Sequence, residues 1–573
     1  MIKKLMSISV MALVLLVGMT VLPRVHQPGP ADQIAEVNSP VGCTVIMVAK
    51  GASVDGSTMA THTCDCGTCD WTWRHVPAAD HKPGEMRRIY HINQYKTWPP
   101  EQGLKWDLYK NDFTGLEIPE VPHTYGYNHG MFGYMNDQQL GIGESTIGCV
   151  RKLYNNTPTP AFDITMLTLI AMERAKTARE AVQIMGSLAE KYGYGFNDGG
   201  EMLAVHDPNE LWVFEIMPAG PLWTPKTGKP GAVWCAQRVP DDHVCVCPNE
   251  SRIGEVELKN KGYFLGSAHM VSFAVEQGLY DPKAGKSFSW KRAYSPAEGS
   301  AVSSNGRRAR LWRFFNLTAP SLKLSPETLN MDFPFSVKPD KPLSVQDVMN
   351  MTRDRSQGSQ FDRVKGLRGG PFSNPNYYGT TRTIGTPSVE YTTITQCRGW
   401  LPGPIGGIVW LSFGLQETSC YVPLYAGISD VPASFKIGDH WSLNRDSARW
   451  AFDYVDFHTQ VVYNSALEEV KKAQAEWEAK TVLRIPEIDK EALERYNRSQ
   501  MEGIGYLDGF CLSHADFVVQ AWWKLGDDLF VRFNKLGYYD SEKRALDRNR
   551  IAYPEWWKRA IKVWDAISES ADK

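Results

Sequence analysis

A thiol at position 43 is the side chain best placed to do chemistry. Cys43 opens CTVIMVAK, an unbroken strand pattern, and follows a leader, VLPRVHQPGPADQIAEVNSPVG, that is punctuated by Pro and has no apolar period. Cleavage after Gly42 would make Cys43 the amino terminus, and one residue would then supply both a thiol nucleophile and a primary amine able to take its proton. An α-amino group titrates at about 7.7–8.0 and a free thiol at about 8.5, so little free energy separates the proton's two positions. Inside a longer chain that nitrogen is an amide and cannot be a base, so removal of residues 1–42 would switch such an enzyme on. The plainer reading makes Cys43 a small buried hydrophobe at a strand start. Lipid attachment through Pro40-Val41-Gly42-Cys43 is disfavoured, because about twenty residues separate Cys43 from the apolar leader segment.

Other clusters are less specific. The chain has no G-x-S-x-G elbow, no H-E-x-x-H pair and no Walker A loop, and GIGES at 141–145 is too short for a nucleotide fingerprint. Cysteines number 11, so at least one stays unpaired within the chain in an oxidising compartment. CDCGTC at 64–69 and CVC at 245–247 concentrate thiols as a soft-metal site would, but the spacing fits no standard zinc pattern. Disulfides or buried thiols are the simpler expectation, and neither metal nor cofactor is called for.

The elements that must position Cys43 follow from pattern. Lys3 and Lys4 ahead of an apolar stretch, Leu5 to Leu22, read as an export signal over 1–22, with a signal anchor as the competing form; 23–42 is then a spacer or propeptide. CTVIMVAK and STMATHT pair across KGASVDGS, and residues 70–130, rich in Trp, Pro and His, read as long loops over a site. Small residues in GIGESTIG allow close backbone approach. Helices are expected at 164–172 and after the capping box Thr177 to Glu180, then hairpins EMLAVHD/LWVFEIM and AVWCAQRV/HVCVC. Residues 255–365 resist assignment apart from helical fragments such as GRRARLWRFFNL. Strands resume in TTRTIGTPSVEYTTITQC, GIVWLSFG and SCYVPLYAG; beyond about 437 the pattern is helical, with Ser465 and Glu468 expected to cap a helix whose Leu467, Val470, Ala473 and Trp477 share a face. Strands, helices and strands again indicate an α+β layered domain at 43–436 and a helical C-terminal region at 437–573.

With Lys+Arg 62 against Asp+Glu 64, a net charge of −2 and 43% hydrophobic residues, the composition excludes a disordered polyelectrolyte and a basic nucleic-acid binder. Membrane contact is expected only through the signal segment. A homo-oligomer is left open.

The run GCTVIMVAKGASVDGSTMATHTCD resembles the start of the cysteine-type dipeptidases of the N-terminal-nucleophile hydrolase superfamily, in which Cys-Thr opens a strand and D-G-S-T follows. HDPNELWVFEI, VWCAQRVPDDHVCVCPNESRI, RTIGTPSVEYTTITQCRGWLPGPIGGIVW and YVPLYAGI resemble later blocks of that family in the same order. The resemblance implies an αββα sandwich of two antiparallel sheets and amide-bond hydrolysis of short peptides; joined to the export signal, it gives an exported cysteine peptidase acting on dipeptides or other short peptides through a thioester. Cys43 takes the nucleophile position, Asn249 the oxyanion donor and Asp65 the acid that orients the amine. Arg398 is the candidate cation for lowering the thiol's pKa, with Arg382 its close competitor. Glu144 and Ser145 fall in a stretch that faces substrate, and His62 stands where many relatives carry Arg, a substitution that bears on pH dependence. The spacer before Cys43 is a second departure, since it requires a further cut. An amidase of the same superfamily acting on acylated amines is the nearest alternative; a non-enzymatic Cys-rich metal or redox protein is the alternative of another class.

Overall fold

Four consecutive apolar side chains, Val45–Val48, cannot all face one side of a strand, and in the computed structural model all four are buried. The strand they form, β1, therefore needs cover on both faces. The structure describes residues 42–92, 112–155, 157–195, 199–295, 304–377, 381–551 and 553–571. The expected export signal and the spacer up to residue 41 lie outside the described residues.

After β1 come β2 (Thr58–Thr63), β3 (Arg74–Val76), β4 (Tyr127–His129), β5 (Gly133–Asn136), β6 (Gly141–Thr146), β7 (Glu201–His206), β8 (Leu211–Pro218), β9 (Ala232–Arg238), β10 (Val244–Cys247), β11 (Phe264–Gly266), β12 (Tyr391–Cys397), β13 (Gly407–Phe413) and β14 (Val422–Tyr425). They build two sheets, one of six strands in the order β10-β1-β2-β12-β13-β14 and one of eight in the order β11-β9-β8-β7-β6-β5-β4-β3. Every pairing within them is antiparallel.

The principal helices are α1 (Ile164–Arg174), α2 (Ala178–Tyr192), α3 (Ser304–Thr318), α4 (Val345–Thr352), α5 (Ala448–Val461), α6 (Tyr463–Gln474), α7 (Lys480–Arg498) and α8 (Gln500–Phe533). Val45 and Met47 pack with Met202, Val213 and Val233 between the sheets. Ile46 and Val48, on the opposite face, belong to the cluster that holds Phe314, Val348 and Phe452. α1 and α2 cover the eight-stranded sheet. The result is the expected αββα sandwich with a helical C-terminal region.

Small residues set the spacing between sheets. A Cβ on Gly143 of β6 would come within 2.5 Å of the Thr61 carbonyl oxygen of β2, so glycine there lets the two backbones meet. His206, at the end of β7, crosses the same interface: its ring nitrogens lie 2.8 Å from Thr58 Oγ1 and 2.7 Å from Thr395 Oγ1.

Three expectations need correction. AVWCAQRV and HVCVC are not a hairpin: β9 stays in the eight-stranded sheet, whereas β10 crosses to the other and pairs with β1, whose outer edge it closes. Residues 70–130 are not only loops, since β3 and β4 join the large sheet and Met86–His91 pairs with Asp112–Pro119. Ser465 caps nothing, because α6 begins at Tyr463, directly after α5, and places Ser465 inside its first turn. The face of Leu467, Val470, Ala473 and Trp477 does pack inward, and the Thr177 to Glu180 capping box is present. Among the described residues no helix is long and apolar enough to cross a membrane.

Candidate active site

The start of β1 is held to β2 by side chains. Thr44 N donates to Thr63 Oγ1 and Ile46 N to Thr61 Oγ1, each at 2.8 Å, so two threonines on β2 bridge a gap that backbone pairing, confined to Met47 and Val48, leaves open. Residue 43 is thereby placed at the strand's fixed end. Just beyond β2, Asp65 is buried; its carbonyl accepts from Gly42 N at 3.2 Å and its Oδ2 accepts from Thr63 Oγ1 at 3.1 Å and from Arg382. Its Oδ1 is buried with no hydrogen-bond partner among the described residues. Burial pushes the Asp65 carboxyl up to about 6 against the pull of Arg382 and Arg310.

Asn249 follows β10 with φ +64°, a left-handed conformation that Asn tolerates better than most residues. Its Nδ2 donates to the Thr146 carbonyl at 2.9 Å and lies 3.4 Å from Ser145 Oγ. Its Oδ1 accepts from both terminal nitrogens of Arg310 at 3.1 Å and from Arg382 Nη1 at 3.3 Å. Arg382 Nη2 also donates to the Gly42 carbonyl. Gly42 has φ +144°, and a Cβ on it would meet all three terminal atoms of the Asn249 side chain at 2.7–2.8 Å. Residue 42 therefore lies directly on the Asn249 amide, and a larger side chain has no room there.

The Cys43 sulfur, a ring nitrogen of His62 and a carboxylate oxygen of Glu144 all lie within 4.8 Å of one another. His62 Nδ1 is 2.9 Å from the Glu144 carbonyl oxygen and 3.6 Å from its Oε2. Glu144 Oε1 accepts from Thr146 Oγ1 at 3.0 Å. Burial first, then the charges of Glu144 and Asp65, push the Cys43 thiol well above its ordinary range. Burial pushes His62 down, so the imidazole is neutral. A protonated thiol needs a base before it can attack.

A cavity of about 460 Å³ opens over Cys43, within the size range of small-molecule sites. Its lining combines buried acids, Asp65, Glu144 and Glu201, with apolar Met131, Phe132 and Ile164; Arg151 and Tyr154 are exposed at its mouth. Cys64 and the disulfide-bonded pair Cys66 and Cys69 form another part of the wall.

Of the sequence-derived candidates, Cys43, Asp65, Asn249 and Glu144 converge here. Arg398 does not. It lies past the far end of β12, where Cys397 pairs with Thr58 at the opposite end of β2 from Thr63, and its guanidinium is bound to Asp489 of α7 and to the Ile405 carbonyl. The cation at the site is Arg382, joined by Arg310. Ser145, His62 and Asn249 are absent from the cavity lining, and Asn249 reaches it through Thr146, which lines the wall. Ser145 Oγ donates to the Cys43 carbonyl at 3.2 Å and accepts from Asn249 N, so it braces the nucleophile strand. His62 packs against Phe132, Tyr134 and Tyr391 and supports Glu144 from behind. Cys245 and Cys247 donate to the carbonyls of Phe335 and Glu250, in the core between the sheets, and form no group with 64–69. Sequence reasoning missed Arg310 and Glu201; Arg310 is one of several arginines in the helical fragment GRRARLWRFFNL with no local feature to single it out, and Glu201 looked like an ordinary first residue of a strand.

The model of peptidase family C69 matches residues 42–476. The chain is 28% identical over 402 residues to a probable dipeptidase of Salmonella dublin, covering 68% of this chain and 82% of that one. A probable dipeptidase of Latilactobacillus sakei is 23% identical over 455 residues, covering 76% and 85%. Probable dipeptidase A of Streptococcus pyogenes serotype M3 (strain SSI-1) is 25% identical over 414 residues, covering 72% and 81%. Among solved structures, penicillin V acylase from Agrobacterium tumefaciens aligns over 67% of this chain and 86% of its own, at 10% identity and a TM-score of 0.28.

Proposed function

The chain belongs to peptidase family C69, and from that premise we propose that it is an exported dipeptidase whose nucleophile is the thiol of Cys43, freed as an amino terminus by cleavage after Gly42. The observation that carries the reading is a buried thiol faced by Glu144 and Asp65, lining an acid-containing cavity, in a residue whose flanking carbonyls are gripped by Arg382 and Arg310. Such a thiol is protonated, and a free amine on the same residue is the nearest base it can acquire.

In the proposed cycle the Cys43 amine takes the thiol proton and the sulfur attacks the scissile carbonyl. Charge develops on the carbonyl oxygen. The Asn249 Nδ2 contact to Ser145 is long, at 3.4 Å, and that N–H is the one available to the developing oxyanion. The protonated amine then gives its proton to the departing amino group, and water hydrolyses the thioester. Asp65 Oδ1, buried and without a partner among the described residues, is suited to hold the ammonium that forms in between.

The cavity's charge supports short unblocked peptides over acylated amines. Glu144, whose Oε2 is buried with no hydrogen-bond partner among the described residues, suits an α-ammonium, the buried acid Glu201 lines the same cavity, and Arg151 at the mouth suits a carboxylate. The test is hydrolysis of a dipeptide and of its N-acetyl derivative by the processed enzyme and by Cys43→Ala. Turnover of the free dipeptide alone, abolished in the folded Cys43→Ala variant, is expected; preference for the acetylated compound, or turnover by Cys43→Ala, would reject the reading.

A further inference from the structure

Arg310 enters the site from α3, and its guanidinium is buried between the nucleophile strand and the Asn249 loop. Nη1 donates to Thr44 Oγ1 at 2.7 Å, to Asn249 Oδ1 at 3.1 Å and to the Cys43 carbonyl at 3.3 Å. Nη2 donates to the Pro248 carbonyl at 3.0 Å and to Asn249 Oδ1 at 3.1 Å. Nε donates to the Gly306 carbonyl at 3.2 Å, one helical turn back, which fixes the angle at which the fork arrives.

Two consequences follow from this geometry. An amide whose oxygen is gripped by both arms of a guanidinium cannot flip, because its NH₂ would then face donors; Nδ2 is held toward Thr146 at the cavity wall. The second consequence is electrostatic. With Gly42 attached, Arg382 sits on the carbonyl before the Cys43 nitrogen and Arg310 on the carbonyl after it, so two cations bracket that nitrogen; the Arg310 contact is to Cys43 itself and does not depend on residue 42.

The other charged or titratable groups facing residue 43 include two acids, Asp65 and Glu144, whose charges act on the Cys43 thiol. Asp65, beyond β2, is in direct contact with one of the two guanidiniums and answers one charge. Glu144 on β6 faces the sulfur. Cys64 and Tyr134 are buried and held protonated, and His62 on β2 is held neutral; burial first, then Arg382 and Arg307, pull the pKa of Arg310 itself well below its ordinary range, against the opposing charge of Asp65. An ammonium between two cations is disfavoured relative to the free amine.

Resting on the reading of Cys43 as an amino-terminal nucleophile, we propose that Arg310 is a positioning residue of the reaction: it locks the Asn249 amide and, through its charge, keeps the Cys43 amine a neutral base. The positional and electrostatic parts separate in two variants. Arg310→Lys keeps the charge and loses the fork; Arg310→Met loses both. Arg310 does not line the cavity, so KM should stay within about twofold of the parent in each.

The experiment measures kcat, KM and the pH profile of kcat/KM on an unblocked dipeptide with processed enzyme, after thermal unfolding has shown each variant to be folded. Both variants should lose roughly tenfold or more in kcat, a fraction of what loss of an oxyanion donor costs. A cation near the amine lowers its pKa, so in Arg310→Met the acid limb should move to higher pH, by about one unit, while in Arg310→Lys it stays. Should Arg310→Met not fold, Arg310→Lys still decides through its kcat and unmoved limb. Parental kcat in Arg310→Lys, or a folded Arg310→Met with parental kcat and limb, would overturn the inference. A Cys43→Ala control separates failures: turnover there rejects the nucleophile reading itself, whereas an inert Cys43→Ala beside an unaffected Arg310→Met rejects only the role of Arg310.

Discussion

A thiol shut away from water and faced by Glu144 and Asp65 keeps its proton, so chemistry at Cys43 depends on what can take it. At the scale of single residues, cations at this site act on backbone carbonyls and on Asn249, not on the sulfur. Asn249→Ala should therefore lower kcat by roughly a hundredfold or more with little change in KM, the signature of a donor used in the transition state; steady-state kinetics on one dipeptide check it, and a loss under threefold would reject the role. Arg398 makes the opposite case. Its guanidinium and Asp489 are a buried pair, and removing one partner leaves a buried charge, at a cost of about 3–5 kcal/mol. Arg398→Met should show a clear fall in melting temperature with kcat within about twofold of the parent. A variant that is stable but inactive would return Arg398 to the catalytic machinery.

At the scale of elements, the interface between the two sheets sets both position and pH response. His206 is buried there between Thr58 and Thr395, and burial pushes its imidazole down to about 3. Because that lies below the ordinary value near 6.5, its contribution to stability is intact above about pH 6.5 and is lost as pH falls toward 3. Asp163, the α1 cap, is pushed up to about 7 by burial and works in the opposite sense, losing stability as pH rises through about 7. Comparison with His206→Asn isolates the histidine: the parent's melting temperature should fall more between pH 6.5 and 4.5 than the variant's, and equal slopes would contradict the assignment. Local signals were legible in the sequence. The Thr177 to Glu180 box, the β1 and β2 pairing, and the small residues of GIGES that let Gly143 meet Thr61 all depend on near neighbours. Which sheet β10 joins depends on a pairing of residues such as Val45 and Cys247, and the reach of Arg310 to Asn249 spans 61 residues; no local pattern encodes either. Arg398 was misplaced for a related reason. It follows Cys397 by one residue, but β12 runs antiparallel to β2, so the end that carries Arg398 is the end away from Cys43.

At the scale of the whole molecule, a near-neutral chain with net charge −2 folds into an αββα sandwich whose described residues begin at Gly42. Gly42 is where fold and activation coincide: its φ of +144° and its contact with Asn249 exclude a side chain, and its carbonyl is held by Arg382. The group proposed to steady a substrate oxyanion therefore lies under residue 42 for as long as that residue remains attached. The measurement that bears most directly on the account is amino-terminal sequencing of the active enzyme, paired with the turnover of chain purified before and after the cut. The account predicts that active material begins Cys-Thr-Val-Ile at Cys43 and that chain still carrying Gly42 is inert. Full turnover by chain that continues upstream through Gly42 would contradict it.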